Sequence, residues 1–247
     1  MDHFAGAAQL TAFLAAQWRH LAIFNYEVDP ALLEPLVPRG TELDAWNGTT
    51  YVSLVAFRFL RTSVLGIPIP LHRDFEEVNL RYYVRRRSGT ELRRGVVFIR
   101  EIVPRRAVAA LARRLYNEPY RALPMRSAVA TAPHLSVQYG WQLSGRWHTV
   151  AARAGRPLTL PVAASFEQFI VEHYWGYTRQ WDGSTIEYHV AHPPWEVGPA
   201  AAYEIAADFA ALYGPALAAR LTKPVSVFLA AGSPVTVSRP VSLGAKS

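Results

Sequence analysis

Asp74-Phe75-Glu76-Glu77-Val78-Asn79-Leu80-Arg81-Tyr82-Tyr83-Val84 alternates with a period of two. Val78, Leu80, Tyr82 and Val84 fall on one side and Glu77, Asn79 and Arg81 on the other, the signature of a strand with one apolar face. The polar face is unusual in kind. It carries a carboxylate, an amide and a guanidinium in one row, flanked by Phe75 and Tyr83. Same-face neighbours on a strand stand about 6.5–7 Å apart, close enough to grip one small polar ligand together. Two plainer readings compete with a site: a face wetted by solvent, and a structural Glu77–Arg81 ion pair.

Outward from this strand the chain reads as hairpins. Ser88-Gly89-Thr90, bracketed by Arg85-Arg86-Arg87 and Arg93-Arg94, makes a solvated tip, and Val96 to Val103 returns as an antiparallel partner. Upstream, Tyr51 to Arg61 is a long strand with faces Tyr51/Ser53/Val55/Phe57/Phe59 and Val52/Leu54/Ala56/Arg58/Leu60. Asn47-Gly48 supplies a hairpin turn before it. Leu21 to Tyr26 is a short strand, and Asp29-Pro30 caps a helical turn. Leu10, Phe13, Leu14 and Trp18 sit at helical spacing and predict an amphipathic helix over residues 1–20.

Downstream, Pro104 opens a helix with the stripe Val108, Leu111 and Leu115. Short strands are expected over 123–131, 135–143 and 146–152. Ser165 begins a second helix, with Gln168 placed for a capping box. Gly176 to Gln180 and Thr185 to His192 form a hairpin, an Ala-rich helix covers 201–213, and Val225 to Leu229 is the last strand. About nine strands arriving mostly as hairpins, with helices between them, indicate an α+β fold with a mostly antiparallel sheet. No repeat or linker divides residues 1–247, so a single domain is expected.

Composition narrows the partners. No apolar run approaches the roughly 20 residues of a membrane-spanning helix, the start Met1-Asp2-His3-Phe4 lacks a basic leader region, and there is no cysteine. A cytoplasmic, non-membrane protein is the expectation. Of 26 basic residues only Lys223 and Lys246 are lysine, so the net charge of +7 reflects arginine usage. No nucleic-acid-binding motif accompanies it, and none is expected. His189 and His192 fall on opposite strand faces, and Glu187 with His189 is too small a set for a metal; neither metal nor cofactor is expected.

An ordered set of motifs carries a resemblance: Gln17-Trp18-Arg19-His20-Leu21, Leu43-Asp44-Ala45-Trp46-Asn47-Gly48, Phe75 to Val84, Gly95-Val96-Val97-Phe98, Phe169-Ile170-Val171-Glu172-His173-Tyr174, and Val190-Ala191-His192-Pro193-Pro194-Trp195. Over about residues 12–230 the chain resembles the YqjF-like bacterial proteins, the domain of unknown function numbered 2071. It departs with Asn25 where many relatives carry His. The resemblance implies a fold similar to acetoacetate decarboxylase, a cone-like antiparallel β-barrel with a central cavity and peripheral helices. In a small barrel one strand face looks into the lumen, which would bring Glu77, Asn79 and Arg81 to the cavity wall.

Acetoacetate decarboxylase works through a lysine Schiff base. Residues 1–222 contain no lysine and Lys223 stands beside Pro224 at a strand entrance, so imine chemistry is excluded from the expected site. What is left is an anchor and an acid or base. Arg81 would hold a carboxylate or enolate bidentately, Glu77 would serve as general acid or base if burial raises its pKa, and Asn79 would orient the ligand. Arg58, Arg126, His192 and Trp195 complete the candidate ligand-binding set, although His192-Pro193-Pro194-Trp195 reads first as a rigid corner in which Trp195 packs and His192 bonds backbone, with a cavity lid bearing His192 as the functional alternative. The expected ligand is a small organic acid or keto compound, in a hollow of roughly 300 Å³ or more. The alternative is a non-catalytic module whose surface binds a protein or a second copy of the chain, with Glu77 and Arg81 on an open sheet face; homo-oligomerisation is compatible with either.

Overall fold

The computed structural model describes residues 12–244. In chain order the elements are β1 (Ala12–Glu27), α1 (Pro30–Leu33), β2 (Glu42–Leu43), β3 (Tyr51–Val64), β4 (Ile67–Pro68), β5 (Phe75–Ser88), β6 (Glu91–Val103), α2 (Arg106–Tyr116) and β7 (Tyr120–Ala122). Then come β8 (Met125–Ala130), β9 (Ser136–Leu143), β10 (Arg146–Ala154), α3 (Phe166–Val171), β11 (Trp175–Arg179), β12 (Thr185–Ala191), β13 (Val197–Ala206), α4 (Ala210–Tyr213), α5 (Pro215–Ala218), β14 (Ser226–Ser238) and β15 (Val241–Ser242). The result is a mostly antiparallel sheet with a few short helices. Only the β6–β11 and β6–β7 pairings are parallel among the described residues.

The hydrogen-bonded pairings β12–β11–β6–β5–β3–β1–β14 return to β12, because β14 pairs with β1 over its length and with β12 at Val237 and Thr236. A second run, β13–β10–β9–β8, continues from β14. This arrangement buries both faces of the central strands. On β5, Val78, Leu80, Tyr82 and Val84 pack with Tyr139, Trp141 and Val150 of the outer strands. Phe75 and Tyr83, on the other face, join Val55, Phe57 and Phe59 of β3 and the helix α3 side chains Phe169 and Ile170. Both apolar clusters are thus anchored on the same strands, and each fully buried Phe or Leu contributes about 1.5–3 kcal/mol of transfer free energy.

Two sequence expectations fail, each for a tertiary reason. Residues 12–20 are strand, not helix; Leu10 lies outside the described residues. β1 is bulged between Ala12 and Leu14 and between Arg19 and Ala22, where His20 has φ 59°; opposite Ala15 and Gln17 the extra residue is on β3, where Arg61 has φ 55°. Each bulge in β1 inserts a residue and breaks the two-residue period. Phe13, Leu14, Trp18 and Leu21 therefore share one side of a strand with helix-like spacing. The Ala-rich segment is strand β13 up to Ala206, since β14 pairs with Val197–Pro199 and β10 takes up the backbone from Ala200 to Ala206; only Ala210–Tyr213 of it is helical. Partner strands outweigh alanine's modest helix preference.

Other local signals hold. Asp29 accepts a hydrogen bond from Ala31 N at 3.0 Å, with Pro30 opening the turn. Ser165 Oγ accepts from Gln168 N at the start of α3, while the Gln168 side chain reaches back to Ala164 N. The basic hairpin tip is more neutralised than a solvated tip would be. Arg86 and Arg93 both bind the buried Glu187, Arg94 binds the buried Asp44, and Arg85 pairs with Glu42. No described helix is long and apolar enough to cross a membrane.

Candidate functional site

A cavity of about 140 Å³ is lined by side chains of β1, β3, β5, β6, β12 and helix α2. That is smaller than the hollow of roughly 300 Å³ expected from the sequence, because aromatic side chains fill much of the interior: Phe57, Phe59, Phe75, Phe98, Trp18 and Trp195 all line it. Helix α2 forms part of the wall through Val108, Leu111, Ala112 and Leu115, positions at i, i+3, i+4 and i+7 of one helical face. The predicted helix stripe faces the cavity.

Glu77, Asn79 and Arg81 line this cavity together. The period-two row therefore lies in the interior, with Glu77 2% and Arg81 7% exposed. Asn79 Nδ2 donates to Glu77 Oε1 at 2.9 Å, and Tyr120 Oη donates to Glu77 Oε2 at 3.0 Å. Arg81 donates through one terminal nitrogen to the Ile170 carbonyl at 3.2 Å and its guanidinium carbon lies 5.8 Å from the Tyr83 ring centre. None of the ion pairs formed within 4.0 Å joins Arg81 to Glu77 or to another carboxylate. The structural ion pair between the two, one of the plainer readings, is absent.

Four functional groups escape a sequence reading. Glu101 and Glu118 line the cavity with Glu77, and Tyr120 and Tyr188 stand among them. Glu118 Oε1 accepts from Thr178 Oγ1 at 2.5 Å and from Tyr188 Oη at 2.6 Å. Tyr188 reaches it only because β11 carries glycine at its partner position: a Cβ on Gly176 would lie 2.1 Å from the Tyr188 ring. Glu101 owes its place to a bulge. Leu80 pairs with Arg100 but Arg81 pairs with Phe98, so Ile99 is an extra residue. Alternation from Phe98 would turn Glu101 away; the bulge turns it in. For Glu118, between a helix end and Pro119, no sequence signal exists.

Burial dominates the electrostatics here. It pushes Glu77 up to about 7 against the opposing pull of the Asn79 and Tyr120 hydrogen bonds and the Arg81 charge. Burial likewise raises Glu118 to about 7, with Glu77 adding repulsion and the Thr178 and Tyr188 hydrogen bonds opposing. Glu101 is raised well above the carboxylate range by burial and then by Glu118 and Glu77. Carboxyls in this state keep or exchange a proton near neutral pH, which is what acid–base work requires. His173, also on the wall, is held neutral: burial lowers it to about 4, and its Nε2 stands 3.6 Å from Asp44 Oδ2, too far for a hydrogen bond. No group of three or more His, Asp or Glu is arranged to hold a metal among the described residues.

The remaining candidates divide. Trp195 lines the cavity and donates Nε1 to Ser233 Oγ at 2.8 Å. His192 stacks on Trp195 at 4.5 Å and bonds through Nδ1 to the Pro193 carbonyl, and it is not among the residues that line the cavity. Arg58 is a correction. It alternates with Phe57 and Phe59, so their inward placement turns it outward, away from the cavity. Arg126 is a second correction: it is an exposed residue of β8 with its guanidinium 4.1 Å over the Trp147 ring, remote from the lining residues. Strand β8 lies at the far end of the outer run, where sequence alone had no means of placing it.

A family model for an uncharacterized conserved protein, DUF2071, matches residues 15–234. The chain belongs to this family. It is 27% identical over 182 residues to YqjF of Bacillus subtilis (strain 168), covering 72% of each chain. Solved structures share the fold at low identity. Acetoacetate decarboxylase from Legionella pneumophila superposes with a TM-score of 0.66 at 16% identity, over 99% of this chain and 93% of that one. The enduracididine biosynthesis enzyme MppR, complexed with pyruvate, gives 0.64 at 14% identity over 100% and 96%. An acetoacetate decarboxylase-like enzyme from Sphingomonas wittichii RW1 gives 0.63 at 13% identity over 98% of both chains. The fold is acetoacetate decarboxylase-like.

Proposed function

We propose that this DUF2071 member binds a small carboxylate or keto compound in its interior cavity and acts on it by acid–base chemistry, with Arg81 as anion anchor and Glu77 as general acid or base. One observation carries the reading. Arg81 is a buried guanidinium on the cavity wall that forms no ion pair within 4.0 Å among the described residues, on the same strand face as Glu77, whose carboxyl burial pushes up to about 7. A buried charge without a counter-charge is costly; an anionic ligand would supply it. The closed run of strand pairings supports reading the fold as a barrel with this cavity as its lumen. Neighbours in fold include an enzyme complexed with pyruvate, a small keto acid, and this agrees with the ligand class.

Imine chemistry has no support. Among the described residues no lysine lines the cavity, and Lys223 is exposed. Asn79 would orient the ligand through the carboxamide it already shares with Glu77. The interior placement of Glu77 and Arg81 favours this reading over a surface interaction module.

A thermal-shift screen of small carboxylic and keto acids tests it, since a ligand of the folded state raises the melting temperature. Arg81→Ala should abolish the shifts while its own melting temperature stays within a few degrees of the parent. Unchanged ligand shifts in that variant would remove the anchor.

A further inference from the structure

The cavity's unmet hydrogen-bonding groups fall into two chemical kinds. On the acceptor side, Asn79 Oδ1 and, in the ionised carboxylates, Glu101 Oε2 and Glu118 Oε2 are buried and have no partner. On the donor side, Arg81 Nε and Trp18 Nε1 are equally buried and unpartnered. All five belong to residues of the cavity wall. Each such group costs free energy while it stays unpaired. The acceptors are also grouped: Asn79 and Glu101 face each other across β5 and β6, and Glu118 precedes Tyr120, which pairs with Glu101. A simple carboxylate or keto acid would satisfy the donors. It would leave the three acceptors empty, with two of them on carboxyls.

We propose that the ligand is bifunctional, carrying a nitrogen with several hydrogens (an ammonium or amidinium group) on the same small molecule as its carboxylate. This rests on the anion-anchor reading above and adds the opposite pole. The nitrogen donates to Glu101, Glu118 and Asn79, while the carboxylate takes Arg81. The cavity wall also includes the apolar Val55, Phe57 and Phe59, which suit a short methylene chain. Asn79 Oδ1 matters to the assignment because it is no acid: the amide spends its nitrogen on Glu77 and leaves its acceptor unmet. A cation beside Glu101 and Glu118 also favours their ionised forms, so binding should release protons.

Titration calorimetry on matched ligands tests this: ω-amino acids of three to six carbons, the unsubstituted acids of the same lengths, and the corresponding amines. The expected result is one ω-amino acid binding at least about tenfold more tightly than its matched acid and amine, with net proton release seen by varying the buffer. Glu101→Gln should erase the preference for the amino acid over the acid. Glu118→Gln serves the same purpose if the first variant melts early. Equal affinity for amino acid and acid, or a preference that survives both substitutions, overturns the bifunctional ligand while the anion anchor stands. No binding of any carboxylate in the series overturns both.

Discussion

Tyr120 Oη donates to Glu77 Oε2 at 3.0 Å, so a three-residue strand following helix α2 holds one oxygen of the carboxyl that β5 brings to the cavity, while Asn79 holds the other. The two donors oppose the burial that raises Glu77. Burial and the carboxyls of Glu101 and Glu77 in turn push the Tyr120 phenol well above its ordinary value, so it stays protonated and can only donate to an ionised Glu77.

Tyr120→Phe removes that donor with little change in shape. The ionised form of Glu77 loses support and its pKa should rise further above 7. Carbon-13 NMR titration of the glutamate carboxyls reads this directly. A transition that stays put or moves down would show that Tyr120 does not tune Glu77. The variant should also be less stable by about 1–3 kcal/mol in denaturant unfolding, the usual cost of an orphaned buried polar group.

The pH dependence of stability has a definite sign. Glu77 and Glu118 are raised from 4.5 to about 7 in the folded chain, so folding takes up protons between those values. Their contribution is complete below about 4.5 and disappears as pH rises through about 7. His173, lowered from 6.5 to about 4, works the other way: its contribution is present above 6.5 and is lost as pH falls toward 4. Denaturation midpoints of Glu77→Gln and Glu118→Gln, compared with the parent from pH 5 to pH 8, should show a flatter decline on the alkaline side. Parallel curves for parent and variants would contradict the raised carboxyls.

Gly176→Ala tests the seat of Tyr188. The added methyl would meet the ring at 2.1–2.4 Å, so the ring must shift and its hydrogen bond to Glu118 breaks. A destabilisation of about 1–3 kcal/mol is expected from overpacking, with chemical denaturation as the measurement. A neutral substitution would mean that the ring is not packed against this strand.

Ala112→Phe separates a binding hollow from a packing defect. Ala112 lines the cavity from α2 and is half-buried, so a larger side chain can enter the space without displacing backbone. The variant should keep or raise its melting temperature and lose the ligand-induced shift. Retained ligand response would place the binding event elsewhere.

Much of this was legible in residue order. The alternation in Phe75–Ser88 separates the cavity face from the outer core face correctly, because both faces of a strand packed on two sides still obey the period of two. Val108, Leu111 and Leu115 gave the inner side of α2 for the same local reason. Where the period is broken, the reading fails. The bulges in β1 imitate helical spacing over Phe13–Trp18, and the extra residue Ile99 hides Glu101 from any count by twos.

By itself, then, the sequence determined that Glu77, Asn79 and Arg81 share one strand face and that residues 1–222 contain no lysine, since both follow from chain order and backbone geometry. Only the tertiary structure decided that this face is interior, that Glu101, Glu118, Tyr120 and Tyr188 join it, and that Arg58 and Arg126 do not. Those outcomes depend on which strand pairs with which, and on three or four single-residue register shifts. Such shifts are set by long-range packing, and no local window of residues contains it.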